Sequence, residues 1–218
     1  MRKYSITTIQ HRCTYGKLTS MVVLDIETTG LDPEVHGIVS IGAIDVNNPE
    51  DSFYEECRIR EGEKIDENAL DVNGFTLDEC RDKNKQSTRD LIQHFDAWLE
   101  SRSIKMIGGL HIGAFDVPFY NKKSIQVGLR SRLRRRSIDL HSITYAKMQS
   151  LGRVVPMTDG WSVMDTDFIH PFCGLPKEPK PHNALNGAKW EAESLYRLMN
   201  GKNLLAEFKR FPVPEYLK

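Results

Sequence analysis

The sequence predicts an α/β fold in which a mixed sheet carries helices on both faces. Three observations support this prediction. The 218 residues suit one domain, alone or with an appended segment. Three apolar segments near the start are separated only by short turns. After them, strand-like and helical segments alternate along the chain. Apolar residues make up 39% of the chain and charged residues 28%, which is typical of a globular domain.

The first three strands are predicted to form an antiparallel meander. Residues 21–25, an apolar run that ends in the carboxylate of Asp25, indicate a buried strand, and residues 38–46 and 52–59 indicate the next two. Leu-Asp-Pro and Asn-Asn-Pro sequences supply the turns between them. Residues 5–9 are also compatible with a short strand.

Helices and further strands are predicted in alternation after the meander. A helix over 183–200 has apolar residues at steps of three and four, and Gly201 ends it. The capping pattern T-x-x-E at Thr76 starts a short helix. The remaining predictions are helices over 66–70, 88–99, from 117, 141–150 and 168–173, strands over 105–110 and 137–140, and a loop over 151–163.

Within this organisation, residues 21–205 form the predicted domain. Residues 1–20 are an N-terminal extension and residues 206–218 a C-terminal tail. Met21 directly precedes the first strong element, so the start of the protein could be Met1 or Met21.

The formal net charge is zero, yet charge is unevenly distributed. Residues 45–82 hold 13 acidic and four basic side chains, whereas residues 101–153 hold two acidic and 11 basic ones. The basic segment includes Arg134 and Arg135. A partner with negative charge would be attracted to one side of the molecule, unless the two segments are simply solvated faces that balance each other.

Several features favour a cytoplasmic protein that does not enter a membrane. No apolar run approaches the roughly 18 residues that span a bilayer. The first 13 residues lack the apolar core of a secretory signal. The four cysteines are scattered without a C-x-x-C pair, which suits free thiols in a reducing compartment.

The sharpest local feature is the pair Asp25-x-Glu27 at the end of the first predicted strand. Residues i and i+2 of a strand point to the same side, so the two carboxylates would repel each other. A divalent cation between them relieves that repulsion, and oxygen ligands suit Mg²⁺. If the strand simply runs out into solvent, the pair is harmless and needs no ion.

The string Asp25-Ile26-Glu27-Thr28-Thr29-Gly30 resembles the first motif of the DEDDh 3′–5′ exonucleases, the family of proofreading exonuclease subunits and RNase T-like enzymes. Ala114-Phe115-Asp116 is similar to the second motif, and His182-Asn183-Ala184 to the start of the third, H-x-A-x-x-D. The resemblance extends from about residue 21 to residue 199. It implies an RNase H-like mixed sheet, a three-strand meander followed by parallel strands.

Two positions depart from the family pattern. Ile112 replaces the Asn that precedes the second motif, and Gly187 stands where the third motif has its Asp. One of four acidic ligands is therefore missing. Glu191 lies one helical turn further on, and its longer side chain can point back toward the helix N-terminus. We therefore hypothesise that Glu191 replaces the missing ligand. The sequence is equally compatible with a Glu191 that is solvated and binds no metal.

The resemblance implies a metal-dependent 3′–5′ exonuclease that releases nucleoside 5′-monophosphates from DNA or RNA. Two divalent cations, Mg²⁺ or Mn²⁺, would be bound by Asp25, Glu27, Asp116 and Glu191, with His182 as the general base. Thr28 and Thr29 would contact the terminal nucleotide, and Arg134 and Arg135 would contact phosphates. The expected partner is a nucleic-acid 3′ end, above all a single-stranded one. No protein partner can be inferred.

Two alternatives stay open. Gly187 favours a catalytically impaired relative that binds nucleic acid, whereas retention of the other motif residues argues for an enzyme. A nucleotide or dinucleotide hydrolase on the same scaffold would differ only in the size of its substrate.

Overall fold

A five-stranded mixed sheet lies at the centre of the computed structural model, which describes residues 20–218. The strand proposed at residues 5–9 lies outside the described residues. The sheet strands are β1 Val22–Thr28, β2 Ile38–Asp45, β3 Ser52–Glu56, β4 Ile107–Gly109 and β5 Ser137–Asp139.

The order of strands across the sheet is β3-β2-β1-β4-β5. The strand pairs β1–β2 and β2–β3 are antiparallel, whereas β1–β4 and β4–β5 are parallel. This arrangement confirms the predicted meander followed by parallel strands. It also places β1 in the middle of the sheet.

Seven α-helices accompany the sheet in the described part of the chain. They are α1 Glu67–Asn73, α2 Leu77–Arg81, α3 Thr88–Glu100, α4 Asp116–Gln126, α5 Leu140–Ser150, α6 Thr166–Phe172 and α7 Ala184–Asn200. Thr76 forms the predicted capping box with Glu79, and Gly201 ends α7 in a left-handed conformation. None of the helices within residues 20–218 has the length and apolar character needed to cross a bilayer.

Alternation along β1 decides which side chains reach which face of the sheet. Val22, Leu24 and Ile26 enter a core that includes apolar residues of α3 and α4. Met21 and Val23 enter the opposite core, which includes apolar residues of α5, α6 and α7. Helices therefore cover both faces, as predicted. Because successive side chains of a strand alternate, the odd-numbered positions beyond Val23 also turn toward α7.

The beginning of α7 lies unusually close to the sheet. A Cβ atom placed on Gly42 of β2 would lie 2.1 Å from the backbone carbonyl carbon of Ala184, the first residue of α7. Only glycine leaves room for this approach. Gly42 pairs with Asp25 across the β1–β2 ladder, so the close contact occurs beside the predicted site.

The structure differs from the sequence predictions mainly at element boundaries. β1 continues through Glu27 to Thr28 instead of ending at Asp25, and β4 is shorter than predicted. The predicted loop over 151–163 contains a small hairpin, β6 Met157–Thr158 with β7 Trp161–Ser162. Strands of two residues are too short to produce a periodic pattern. In the sequence, only the turn residues between β6 and β7 indicate this hairpin.

The chain after α7 is anchored by a buried ion pair within that helix. The guanidinium of Arg197 donates to Glu193 Oε1 at 2.7 Å and to the carbonyl oxygens of Phe208 and Phe211. The other Glu193 oxygen accepts bonds from backbone N–H groups of residues 204 and 205. These bonds hold the final segment against the helix that borders the site.

Candidate active site

A cleft of about 320 Å³ opens where β1, the start of α4 and the first turns of α7 meet. Its walls carry five acidic side chains and two imidazoles, namely Asp25, Glu27, Asp116, Glu178, Glu191, His111 and His182. The structure thus brings together Asp25, Glu27, Asp116, His182 and Glu191, which the sequence analysis selected from distant parts of the chain.

Asp25 and Glu27 reach the cleft through the alternation of β1. Both occupy odd-numbered positions, and both are partly exposed at a point where their neighbours are fully buried. The register of β1 against β2 shifts between Glu27 and Thr28, so regular pairing ends just after the acidic pair. Glu27 therefore lies one residue before the end of the strand, as predicted, whereas Asp25 lies in its middle.

Asp116 is held at the first residue of α4 and crosses to β1. Its Oδ1 accepts a hydrogen bond from the backbone N–H of Ile26 at 3.2 Å, between the two acidic residues of that strand. The side chain is buried. This bond fixes the position of Asp116 beside Asp25 and Glu27.

Gly187 of α7 packs directly against Asp25. A Cβ atom placed on Gly187 would lie 2.0 Å from Asp25 Oδ2. Any larger residue, including the Asp of the family motif, would displace the Asp25 carboxylate from its present position. Gly187, which replaces the Asp of the family motif, therefore leaves room for the side chain of Asp25.

Glu191 lies in the cleft one turn of α7 beyond Gly187. Its side chain is buried, and its Oε2 accepts a bond from the backbone N–H of Leu110 at 3.0 Å. The alternative of a solvated Glu191 is therefore wrong. The structure places this carboxylate among the others, and its role as a metal ligand stays a prediction.

Burial, and after it the charges of neighbouring carboxylates, disfavours the charged forms of the acidic side chains in the cleft. Burial raises the pKa of Glu27 to about 7 and, together with the charge of Glu27, that of Asp116 to about 8. Burial and then the charges of Glu27 and Glu191 raise the pKa of Asp25 well above its ordinary value. Burial and the charge of Asp116 do the same for Glu191.

The donor atoms of the cleft are carboxylate oxygens, the type that divalent cations such as Mg²⁺ prefer. Among residues 20–218, no group of three or more His, Cys, Asp or Glu side chains is placed so that it could hold a metal ion by itself. Mg²⁺ is normally held by one or two carboxylates, with water and phosphate oxygens completing its shell, so an open cleft of carboxylates suits it. Asp25, Glu27, Asp116 and Glu191 are the residues that would hold the cations.

His182 lies at the rim of the cleft, just before α7. Its imidazole is half-buried, and burial together with the positive charge of Lys180 lowers its pKa. The nearest acidic oxygen to Nδ1 is Glu178 Oε2 at 3.9 Å. A neutral imidazole at this position can accept a proton at physiological pH.

Glu178 was not found by the sequence analysis. It belongs to the segment between α6 and α7, where no motif or periodicity points to it. The residue lies four positions before His182, and only the three-dimensional path of this segment carries it into the cleft.

The predicted nucleotide-contact residues lie elsewhere. Thr28 donates its hydroxyl to the carbonyl oxygen of Gly30, and Thr29 donates its own to that of Lys64, so both hydroxyls serve the turn after β1. Arg134 and Arg135 are exposed in the segment between α4 and β5. None of these four residues lines the cleft, and their substrate contacts stay predictions.

A cleft of converging carboxylates on a mixed sheet places this protein in the class of candidate phosphoryl-transfer enzymes. The family model RNase_T, described as exonuclease, matches residues 22–193. The chain therefore belongs to the RNase T exonuclease family, and the DEDDh resemblance is confirmed.

Curated relatives match part of the chain. DNA polymerase III PolC-type from Thermotoga maritima is 33% identical over 91 residues, which is 42% of this chain and 6% of that protein. The same polymerase from Thermotoga petrophila is 32% identical over 85 residues, 39% of this chain and 6% of that protein. The chain thus corresponds to a small part of these relatives.

Solved structures confirm the RNase H-like exonuclease fold. E. coli exonuclease I in complex with a dA16 oligonucleotide has a TM-score of 0.65 and 14% identity, covering 84% of this chain and 42% of that one. Cell-death related nuclease 4 (CRN-4) has a TM-score of 0.65 and 17% identity, covering 89% of this chain and 71% of that one. At these identities the likeness concerns the fold alone.

The raised pKa values predict that the metal-free protein loses stability as pH rises. Between about pH 4 and pH 8, the folded state binds more protons than the unfolded state, so the free energy of unfolding falls across this range. One pKa unit corresponds to about 1.4 kcal/mol, and we expect the loss to exceed that figure. Added Mg²⁺ should restore stability at the upper end, because cations bind the deprotonated carboxylates. Urea unfolding with chelator and with Mg²⁺ measures both effects. A stability that rises over this range with chelator present would contradict the prediction.

The contact between Gly187 and Asp25 predicts that Gly187→Ala lowers nuclease activity without unfolding the protein. The added Cβ displaces Asp25, and a misplacement of about 1 Å can lower a rate about 100-fold. Alanine is also a better helix former than glycine, so the melting temperature should not fall. Gly187→Asp should likewise fail to raise activity. Asn186→Ala, at a neighbouring α7 position that does not line the cleft, is the matched control. Full activity of Gly187→Ala would show that Asp25 need not stay where it is.

Proposed function

We propose that this protein is a metal-dependent 3′–5′ exonuclease. It hydrolyses phosphodiester bonds from the 3′ end of DNA or RNA, above all of single strands, and releases nucleoside 5′-monophosphates. The observation that carries the proposal is the convergence of Asp25, Glu27, Asp116 and Glu191 in one cleft, beside His182. Membership of an exonuclease family supports it.

Two divalent cations, Mg²⁺ or Mn²⁺, would supply Lewis-acid chemistry, activating the attacking water and stabilising charge on the leaving 3′ oxygen. The chain's own contribution is to hold the carboxylates in place. The bond from Ile26 to Asp116 and the bond from Leu110 to Glu191 fix two of them. The side-chain alternation of β1 and the absence of a Cβ at residue 187 position Asp25.

His182 is the proposed general base. It lies on the cleft wall and is neutral at physiological pH, because burial lowers its pKa. It can therefore take a proton from the attacking water. A general base must be unprotonated before the reaction begins, and the neutral imidazole meets this requirement.

The size and charge of the cleft favour an end of a strand as substrate. A volume of about 320 Å³ is at the small end of ligand pockets, which suits one terminal nucleotide better than a duplex. The carboxylates would repel phosphates without bound cations, whereas exposed Arg134 and Arg135 can attract the strand. The oligonucleotides in the exonuclease I structures support a nucleic-acid substrate. Thr28 and Thr29 would contact the terminal nucleotide through their backbone.

A cytoplasmic location is part of the proposal. Cys57, Cys80 and Cys173 are free and buried, which suits a reducing compartment. Burial raises the pKa of the Cys57 thiol to about 12, so this thiol is unreactive at physiological pH.

Gly187 supports one competing function, a nucleic-acid-binding module without catalysis. In the structure, Gly187 accommodates Asp25, and Glu191 brings a carboxylate from the same helix into the cleft. Both features weaken the case for a lost site. The two functions, and a hydrolase of dinucleotides, give different outcomes in one assay.

In that assay, 5′-labelled single-stranded DNA and RNA are incubated with Mg²⁺, Mn²⁺ or chelator. We expect a ladder of fragments shortened from the 3′ end, nucleoside 5′-monophosphates as product and no reaction with chelator. Loss of a cation ligand costs several kcal/mol of transition-state stabilisation, so Asp25→Asn should lower the rate roughly 1000-fold.

Asp71→Asn, on an exposed face of α1, is the matched control and should keep full activity. Binding without digestion would favour the binding module. Cleavage of dinucleotides alone would favour the smaller substrate, and digestion from the 5′ end would overturn the proposed direction.

Replacing Arg134 and Arg135 together by Ala should weaken binding of a labelled oligonucleotide without changing its sequence preference. Each phosphate contact contributes about 1 to the slope of log affinity against log salt, so the double variant should lower the slope by about 2. Fluorescence anisotropy over a salt series measures the slope. The double variant Lys202→Ala/Lys209→Ala changes the charge equally at exposed positions after α7 and serves as control. Equal slopes in wild type and the Arg134/Arg135 variant would exclude the proposed contacts.

A further inference from the structure

Glu178 is an almost wholly buried carboxylate to which, among residues 20–218, the backbone of Asn183 donates a hydrogen bond. Its side chain is 6% exposed, and its Oε1 has no hydrogen-bond partner among the described residues. The same side chain lines the cleft that holds Asp25 and Glu27. A buried polar atom without a partner is unfavourable by about 1–3 kcal/mol, and more when it is charged.

No neighbouring cation offsets this cost. The nearest basic atom is Nδ1 of His182, and its distance of 3.9 Å from Glu178 Oε2 is too long for a hydrogen bond. The cleft-facing groups on β1, α4 and α7 are themselves acidic, namely Asp25, Glu27, Asp116 and Glu191. Among them, the charge of Glu27 makes a charged Glu178 less favourable in the absence of an ion.

The surroundings of Glu178 and Glu191 differ. Glu191 already accepts a bond from the backbone of Leu110 and feels the charge of Asp116 most strongly. Glu178 feels that of Glu27, and burial together with this charge raises its pKa to about 7.

We propose that Glu178 is a further cation ligand of the site, one that supplies its unpartnered Oε1 to the cleft. Oxygen ligands for Mg²⁺ and Mn²⁺ need a deprotonated carboxylate with a free lone pair, and the unpartnered Oε1 provides one. The α6–α7 segment then contributes to the metal site directly. This inference rests on the proposed cation-dependent function.

The test is a titration of the full chain with Mn²⁺, in which the electron paramagnetic resonance signal of free Mn²⁺ measures how much of the ion is bound. Loss of even a supporting partner of a ligand lowers metal affinity 10- to 100-fold. Glu178→Gln should therefore weaken Mn²⁺ binding about 10-fold or more. Glu27→Gln is the positive control, and Glu50→Gln, at an exposed position, is the matched negative control.

A second measurement separates a ligand from a structural residue. Without metal, Glu178→Gln should melt at or above the temperature of the wild type, because it removes the charge of a buried carboxylate whose Oε1 has no hydrogen-bond partner among the described residues. The increase in melting temperature on adding Mn²⁺ should be smaller than in the wild type. A lower melting temperature without metal would instead indicate a structural role and overturn the inference. Glu178→Asp, which keeps the charge, should retain more Mn²⁺ affinity than Glu178→Gln.

The outcomes distinguish this inference from the proposed function. If Glu27→Gln weakens Mn²⁺ binding and Glu178→Gln does not, Glu178 is not a ligand and the proposed function stands. If the wild type binds no Mn²⁺, the cation-dependent function fails and the inference fails with it.

Discussion

The crowding of carboxylates in one cleft, where they lose solvation and lie beside like charges, is the constraint around which this site is built. Asp25, Glu27, Asp116, Glu178 and Glu191 line one cleft, and no Lys or Arg is among the described residues that form its wall. Such a set is unfavourable in isolation, because burial and like charges both oppose ionisation. Bound cations would remove the repulsion, so the arrangement that is predicted to lower the stability of the metal-free protein would also favour metal binding.

The backbone geometry that creates this convergence is simple. Side chains alternate along β1, so the carboxylates of Asp25 and Glu27 emerge on the face that α7 covers. Gly42 allows the first residue of α7 to touch the sheet, and Gly187 allows the next turn to pack against Asp25. Glu191 follows one turn later. The absence of a Cβ atom at Gly42 and at Gly187 thus determines how close α7 brings Glu191 to β1.

Much of the fold could be predicted from sequence, because the apolar run of β1 and the three-four spacing of α7 are long patterns with one interpretation. The residues Asp25, Glu27 and Asp116 were recognisable for another reason, because the short strings around them resemble motifs of the exonuclease family. Gly187 was interpreted as a missing ligand, because the sequence shows that this position lacks a carboxylate. The sequence does not show that Asp25 Oδ2 occupies the space that a side chain of residue 187 would need. No motif or periodicity in the sequence points to Glu178. The path of the irregular segment between α6 and α7 depends on tertiary packing, so its position in the cleft could not be predicted.

Diffraction from crystals grown with Mn²⁺ and a nucleoside 5′-monophosphate tests the account most directly, since anomalous scattering locates the ions independently of the carboxylates. The account predicts Mn²⁺ bound by oxygens of Asp25, Glu27 and Asp116, with the nucleotide phosphate facing the ions. Ions found only outside the cleft, or a cleft that binds the nucleotide with its carboxylates directed away from any ion, would contradict it.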